Sequence, residues 1–111
     1  MTLISVSDYR HACAKYIREA LQRPRMYYRS LNELEAMMSG HYVAYEQLGG
    51  IEKHQSFRKE FIAWLWESKG MSGSAGWAYA IQALASSEQK NEEELFSRLI
   101  NEFFDHWLQE K

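Results

Sequence analysis

Apolar residues recur at three- and four-residue steps along almost the whole chain, and no stretch alternates apolar with polar at the two-residue period of a strand. The pattern predicts five helices. The first spans roughly Asp8 to Gln22, with Tyr9, Ala12, Cys13, Tyr16, Ile17, Ala20 and Leu21 on one stripe and Ser7 or Asp8 as the N-cap. Pro24 ends it, because the residue before a proline is pushed out of the helical region. The second opens at Ser30, which has the S-x-x-E spacing to Glu33, and runs toward Gly49 and Gly50. Leu31, Leu34, Met38, His41, Tyr42, Tyr45 and Leu48 define its inner side, with Glu35, Ser39 and Glu46 opposite. Gly40 in mid-pattern is expected at a kink or a close helix crossing.

The third helix, about Ser56 to Ser68, turns Phe57, Phe61, Trp64 and Leu65 inward. After the Gly/Ser-rich segment "SKGMSGSAG", a fourth runs from about Ser74 to Ser86 with Trp77, Ile81 and Leu84 inward. Asn91 opens the fifth with a capping spacing to Glu94, and its core face is Leu95, Phe96, Leu99, Ile100, Phe103 and Trp107. Short connections between such helices predict a compact all-α bundle of about five helices, a single domain over residues 1–111.

Composition is that of an ordinary globular domain, 46% hydrophobic and 25% charged, and no run of about 18 apolar residues is present. The expected location is the cytoplasm: charge interrupts the N-terminus too early for a signal segment, and the single Cys13 excludes an internal disulfide. The net charge of −2 conceals a gradient. Residues 1–29 carry six Lys/Arg against two Asp/Glu, while residues 30–111 carry seven against thirteen. A surface acidic over three quarters of the chain repels phosphate backbones and attracts basic partners, so no nucleic-acid partner is expected.

The four histidines, His11, His41, His54 and His106, form no H-e-x-x-H pattern, and one cysteine builds no structural zinc site. Cys13 sits on the apolar stripe as a small hydrophobe, and "GMSGSAG" has neither a Walker lysine nor a preceding strand. Glu92, Glu93 and Glu94 suit a first helical turn, where the macrodipole favours negative charge, and Glu94, Arg98 and Glu102 have the spacing of an exposed ion-pair ladder. Neither enzyme chemistry nor a cofactor is therefore expected. The aromatic share of 14% is high. Trp64 and Trp66 lie about 200° apart around their helix, so Trp66 packs under a loop, is exposed, or meets a partner.

One stretch, "RPRMYYRSLNELEAMMSGHY", sets Arg23, Arg25 and Arg29 around Tyr27 and Tyr28. Those arginines suit either a phosphate or an internal anchor to the acidic bundle, and the acidic remainder favours the anchor. The stretch resembles the "RP-x-MY … SL-x-x-LE … GY" opening of immunity proteins from bacterial polymorphic-toxin and contact-dependent growth inhibition systems, with His41 inserted in "GHY" as a departure. Phe61, Trp64, Leu65, Gly76 and Trp77 match the later "F-x-x-WL" and "GW" landmarks. The resemblance implies a stoichiometric inhibitor of the C-terminal toxin domain of an exported effector, frequently a nuclease, a ribonuclease included. It also implies that Arg23, Pro24, Met26, Tyr27, Ser30, Leu31, Leu34, Gly40 and Trp77 determine the fold. An acidic helical domain suits the cationic groove of such a toxin. The candidate contacts are Tyr28 or Trp66 as anchor, with Glu35, Glu46, Glu92, Glu93 and Glu94 as charge. The alternative is a small helical adaptor with an unrelated protein partner.

Overall fold

A computed structural model describes residues 5–22 and 29–109. These residues are helical and free of strands. The elements are α1 (Val6–Gln22), α2 (Leu31–Gly49), a short 3-10 turn (Lys53–Gln55), α3 (Phe57–Lys69), α4 (Trp77–Glu88) and α5 (Glu92–Trp107). The all-α architecture matches the expectation from periodicity. Arg23, Pro24, Arg25, Met26, Tyr27 and Tyr28, on which the loop-anchor expectation rested, lie outside the described residues.

Caps set the boundaries. Ser5 Oγ accepts the Asp8 amide at 3.0 Å, so α1 opens earlier than the Ser7 or Asp8 start expected from the apolar stripe. Ser30 accepts the Glu33 amide, Ser56 the Lys59 amide and Asn91 the Glu94 amide, each holding one of the amides that a helix start otherwise leaves unpaired. Gly50 and Gly70 close α2 and α3 in the left-handed conformation that glycine adopts without cost.

Helix α4 is central, packing on α2, α3 and α5, while α1 packs on α2 and α5. The core is aromatic. The buried Phe57 ring meets Tyr42, Phe61, Trp77, Phe103, Phe104 and Trp107 with centroids 5.4–6.5 Å away, and Trp77 stacks on Phe96 at 5.1 Å. Pairs at these separations add about 0.5–1.5 kcal/mol each beyond the area they bury.

The inner side of α2 differs from the expected stripe. Leu31, Leu34, Met38 and Tyr42 are buried as expected, but His41, Tyr45 and Leu48 are exposed. The inner direction is narrower than the apolar pattern suggests, because it is set by α1 and α4 and not by hydrophobicity alone. His41 instead stacks on Tyr16 of α1, centroids 4.1 Å apart, and touches Tyr45. Gly40 is exposed, and a Cβ added there meets nothing within 4 Å, so it marks no close crossing. The fourth helix begins at Trp77, later than the Ser74 expected. Glu102 pairs with Lys69 of α3 at 3.2 Å in place of Arg98, so the ladder along α5 does not form.

Several polar groups inside the bundle are paired across helices, although the buried Arg10 Nε has no hydrogen-bond partner among the described residues. Tyr9, fully buried, donates to Glu46 Oε2 at 2.6 Å and accepts the Phe57 amide at 2.7 Å. Tyr42 donates to the Cys13 carbonyl at 2.7 Å. Glu60 accepts from the Trp107 indole N–H and from Arg10, whose other terminal nitrogen donates to the Trp107 carbonyl at 2.9 Å. Burial first, then the neighbouring Cys13, raises the Tyr9 and Tyr42 hydroxyls above their ordinary value, with Glu46 adding to the rise at Tyr9 and the Tyr9 and Tyr16 hydroxyls to that at Tyr42; burial pushes the Cys13 thiol up to about 12.

For these acids the folded state holds protons that the unfolded chain releases from about pH 9 upward, so their contribution is complete below that pH and declines as pH rises toward 12. Urea unfolding between pH 8 and 11 is expected to show stability falling with pH. Tyr42→Phe is expected to flatten that slope and to cost about 1 kcal/mol at neutral pH; a slope unchanged by the substitution contradicts the assignment.

Candidate protein-binding surfaces

Two surfaces combine exposed apolar area with charge. The first is a cleft of about 160 Å³ between α2, the start of α3 and the start of α4. Its floor is Met38, Tyr42, Phe57 and Trp77, the exposed Val43 of α2 also lines it, and its rim carries Glu35 and Glu46 from α2 with Lys53, Arg58 and Lys59 from the 3-10 turn and the start of α3. The 3-10 turn lies between α2 and α3, and Phe57, the first residue of α3, meets Tyr42 of α2 with ring centroids 5.4 Å apart.

Both glutamates are half-buried, and each already has a partner within the fold. Glu35 Oε2 accepts the Trp77 amide at 3.1 Å, capping α4 from a different helix. Gly76, at the N-cap, has φ of 101° and offers no side chain of its own. A Cβ there would stand 2.9 Å from both Glu35 carboxylate oxygens, so glycine supplies both the backbone angle and the room. Glu46 holds Tyr9 and, through it, the first amide of α3. Only one oxygen of each carboxylate is engaged in these bonds. The two were expected on the outer side of α2; they sit instead on the flank of its buried face, facing the starts of α4 and α3.

The second surface is outward. Trp66 on α3 is 62% exposed and has no ring partner within the described residues, so it does not pack under a loop. Tyr79 on α4 is 59% exposed. Glu93 and Glu94 are exposed and Glu92 half-buried at the start of α5, with Asn91 capping that helix, so they complement its dipole and face solvent. Tyr28 lies outside the described residues. The fold therefore separates the six described candidates: Glu35 and Glu46 edge the cleft, Trp66 is on α3, and the glutamate triplet is at the start of α5.

Val43, Lys53, Arg58 and Lys59 went unnoticed in the sequence, although one signal was legible there. Arg58 and Lys59 put two cations in the first turn of α3, where the helix dipole disfavours them, and such a placement needs a reason beyond helix stability. Among the described residues, no group of three His, Cys, Asp or Glu side chains is placed to hold a metal ion, and no helix is long and apolar enough to cross a membrane.

Comparison of the chain with protein-family models, with curated proteins and with solved structures finds no match.

The cap that Glu35 provides is open to direct measurement. Glu35→Ala is expected to destabilise the protein by about 1–2 kcal/mol, as loss of a side-chain cap does. Gly76→Ala is expected to cost at least as much, about 1–3 kcal/mol, through its positive φ and the displaced carboxylate. Thermal unfolding of both variants checks this; wild-type stability in either removes the cap from the account.

Proposed function

We propose that this chain is a stoichiometric protein inhibitor of the immunity type, binding and neutralising the C-terminal domain of a secreted or contact-dependent toxin. The observation that carries the reading is Trp66, a large aromatic left 62% exposed in a chain that buries Trp77 and Trp107 almost completely. A tryptophan in water forgoes the stabilisation that burial would give it, and such residues are typical anchors of protein interfaces.

Charge supports the same reading. With Glu35 and Glu46 hydrogen-bonded inside the fold and facing three cations across the cleft, the electrostatic contribution moves to Glu92, Glu93 and Glu94. Their carboxylates, those of Glu93 and Glu94 exposed and that of Glu92 half-buried, suit the cationic groove of a nuclease, and long-range attraction speeds the capture of a toxin that acts quickly. The Arg/Tyr-containing stretch and its resemblance to immunity proteins support the same reading. The adaptor reading draws on a separate observation, the mixed-charge cleft.

Co-expression with the C-terminal domain of an exported protein encoded beside this gene tests the proposal. The chain is expected to co-purify with that domain and to abolish its nuclease activity. Trp66→Ala is expected to weaken the complex by about 2 kcal/mol or more, as loss of an interface anchor does. Replacing Glu92, Glu93 and Glu94 together with glutamine is expected to slow association at low salt and to flatten its salt dependence. No complex, or a complex indifferent to both changes, rejects the reading.

A further inference from the structure

The cleft over Tyr42 and Phe57 has a direction. Glu35 and Glu46 stand three turns apart on α2, about 16 Å along the helix axis. The Glu35 bond to the Trp77 amide fixes the start of α4 at one end. The Glu46–Tyr9–Phe57 chain fixes the first turn of α3, with Arg58 and Lys59, at the other, and Lys53 follows the end of α2 there. The cations lining the cleft come from these segments, so its charge is negative at Glu35, while at the other end Lys53, Arg58 and Lys59 outnumber Glu46, which is tied to the Tyr9 hydroxyl. Between the ends lies an apolar floor, and the volume of about 160 Å³ is close to that of an engineered cavity that admits one benzene molecule.

From this arrangement we infer that the cleft binds an extended peptide segment of a partner protein, one that presents a basic residue, a central apolar side chain and an acidic residue in that spatial order. The central side chain enters over Tyr42, Phe57 and Trp77. The basic group reaches the unengaged oxygen of Glu35, and the acidic group reaches Lys53, Arg58 and Lys59. An extended chain rises about 3.3 Å per residue, so residues four apart lie about 13 Å apart and long side chains cover the rest. A segment basic at both ends meets like charge at the α3 end, and one acidic at both ends meets it at Glu35. The inference rests on reading the chain as a protein-binding domain, and it is tested without any toxin, so the cleft can fail while Trp66-dependent toxin binding stands.

The probes are capped pentapeptides titrated into the full chain and followed by NMR. Arg-Ser-Leu-Ser-Glu is expected to shift the Val43 methyl and Trp77 indole signals in the millimolar range. Arg-Ser-Leu-Ser-Arg, Glu-Ser-Leu-Ser-Glu and Arg-Ser-Ser-Ser-Glu are each expected to bind about tenfold more weakly, the factor that corresponds to 1.4 kcal/mol. Val43→Arg is expected to abolish the shifts at Trp77. The double change Arg58→Glu and Lys59→Glu, which the α3 dipole tolerates, is expected to move the preference to Arg-Ser-Leu-Ser-Arg. Absence of shifts with any peptide overturns the inference, as does equal binding of all four or an unchanged ranking in the double variant.

Discussion

The bundle depends on one hydroxyl. Tyr9 lies buried where α1, α2 and α3 meet, accepting the first amide of α3 and donating to Glu46 of α2. A helix start is the hardest backbone to bury, since its first amides have no acceptor within the helix. Leaving such an amide unpaired in the core costs on the order of 1–3 kcal/mol. Tyr9 removes that cost for α3, and Glu46 in turn satisfies Tyr9. The contact places Phe57, and the Phe57 ring is what Tyr42, Trp77, Phe103 and Trp107 assemble around.

Glu35 and Glu60 repeat the device. The first caps α4 through the Trp77 amide; the second takes the Trp107 indole N–H while pairing with Arg10. Carboxylates that look like surface charge thus tie α2 to α3 and α4, and α3 to α1 and α5. The acidic excess of the chain is partly structural. Among the acids that remain outward are Glu93 and Glu94 in the first turn of α5, and Trp66 is exposed separately on α3.

Much of this was legible in advance and part was not. Helix number and order follow from the three- and four-residue apolar spacing, and Ser30, Ser56 and Asn91 carry their caps in plain view. The inner face of α2 was misjudged because His41, Tyr45 and Leu48 continue an apolar stripe that the neighbouring helices do not cover. The apolar pattern puts Glu35 and Glu46 outward because residue type says nothing of a donor far along the chain that needs an acceptor, the Trp77 amide 42 residues from Glu35 and the Tyr9 hydroxyl 37 from Glu46. Gly76 before Trp77 was a visible hint, since a helix starting on glycine brings no side-chain cap. Helical spacing puts Trp66 about 200° from Trp64 and so away from the core, but its exposure depends on where the neighbouring segments pack.

The most direct measurement is native-state hydrogen exchange at the Phe57 and Trp77 amides. Both occupy the first position of a helix, where amides ordinarily exchange quickly. If Tyr9 and Glu35 close these helix starts, both amides exchange slowly, at rates approaching those of the buried α5 amides, while the neighbouring Arg58 amide exchanges faster. Rapid exchange at Phe57 and Trp77, level with Arg58, would contradict the inward role of these carboxylates and with it the division between the structural acids and those left for a partner.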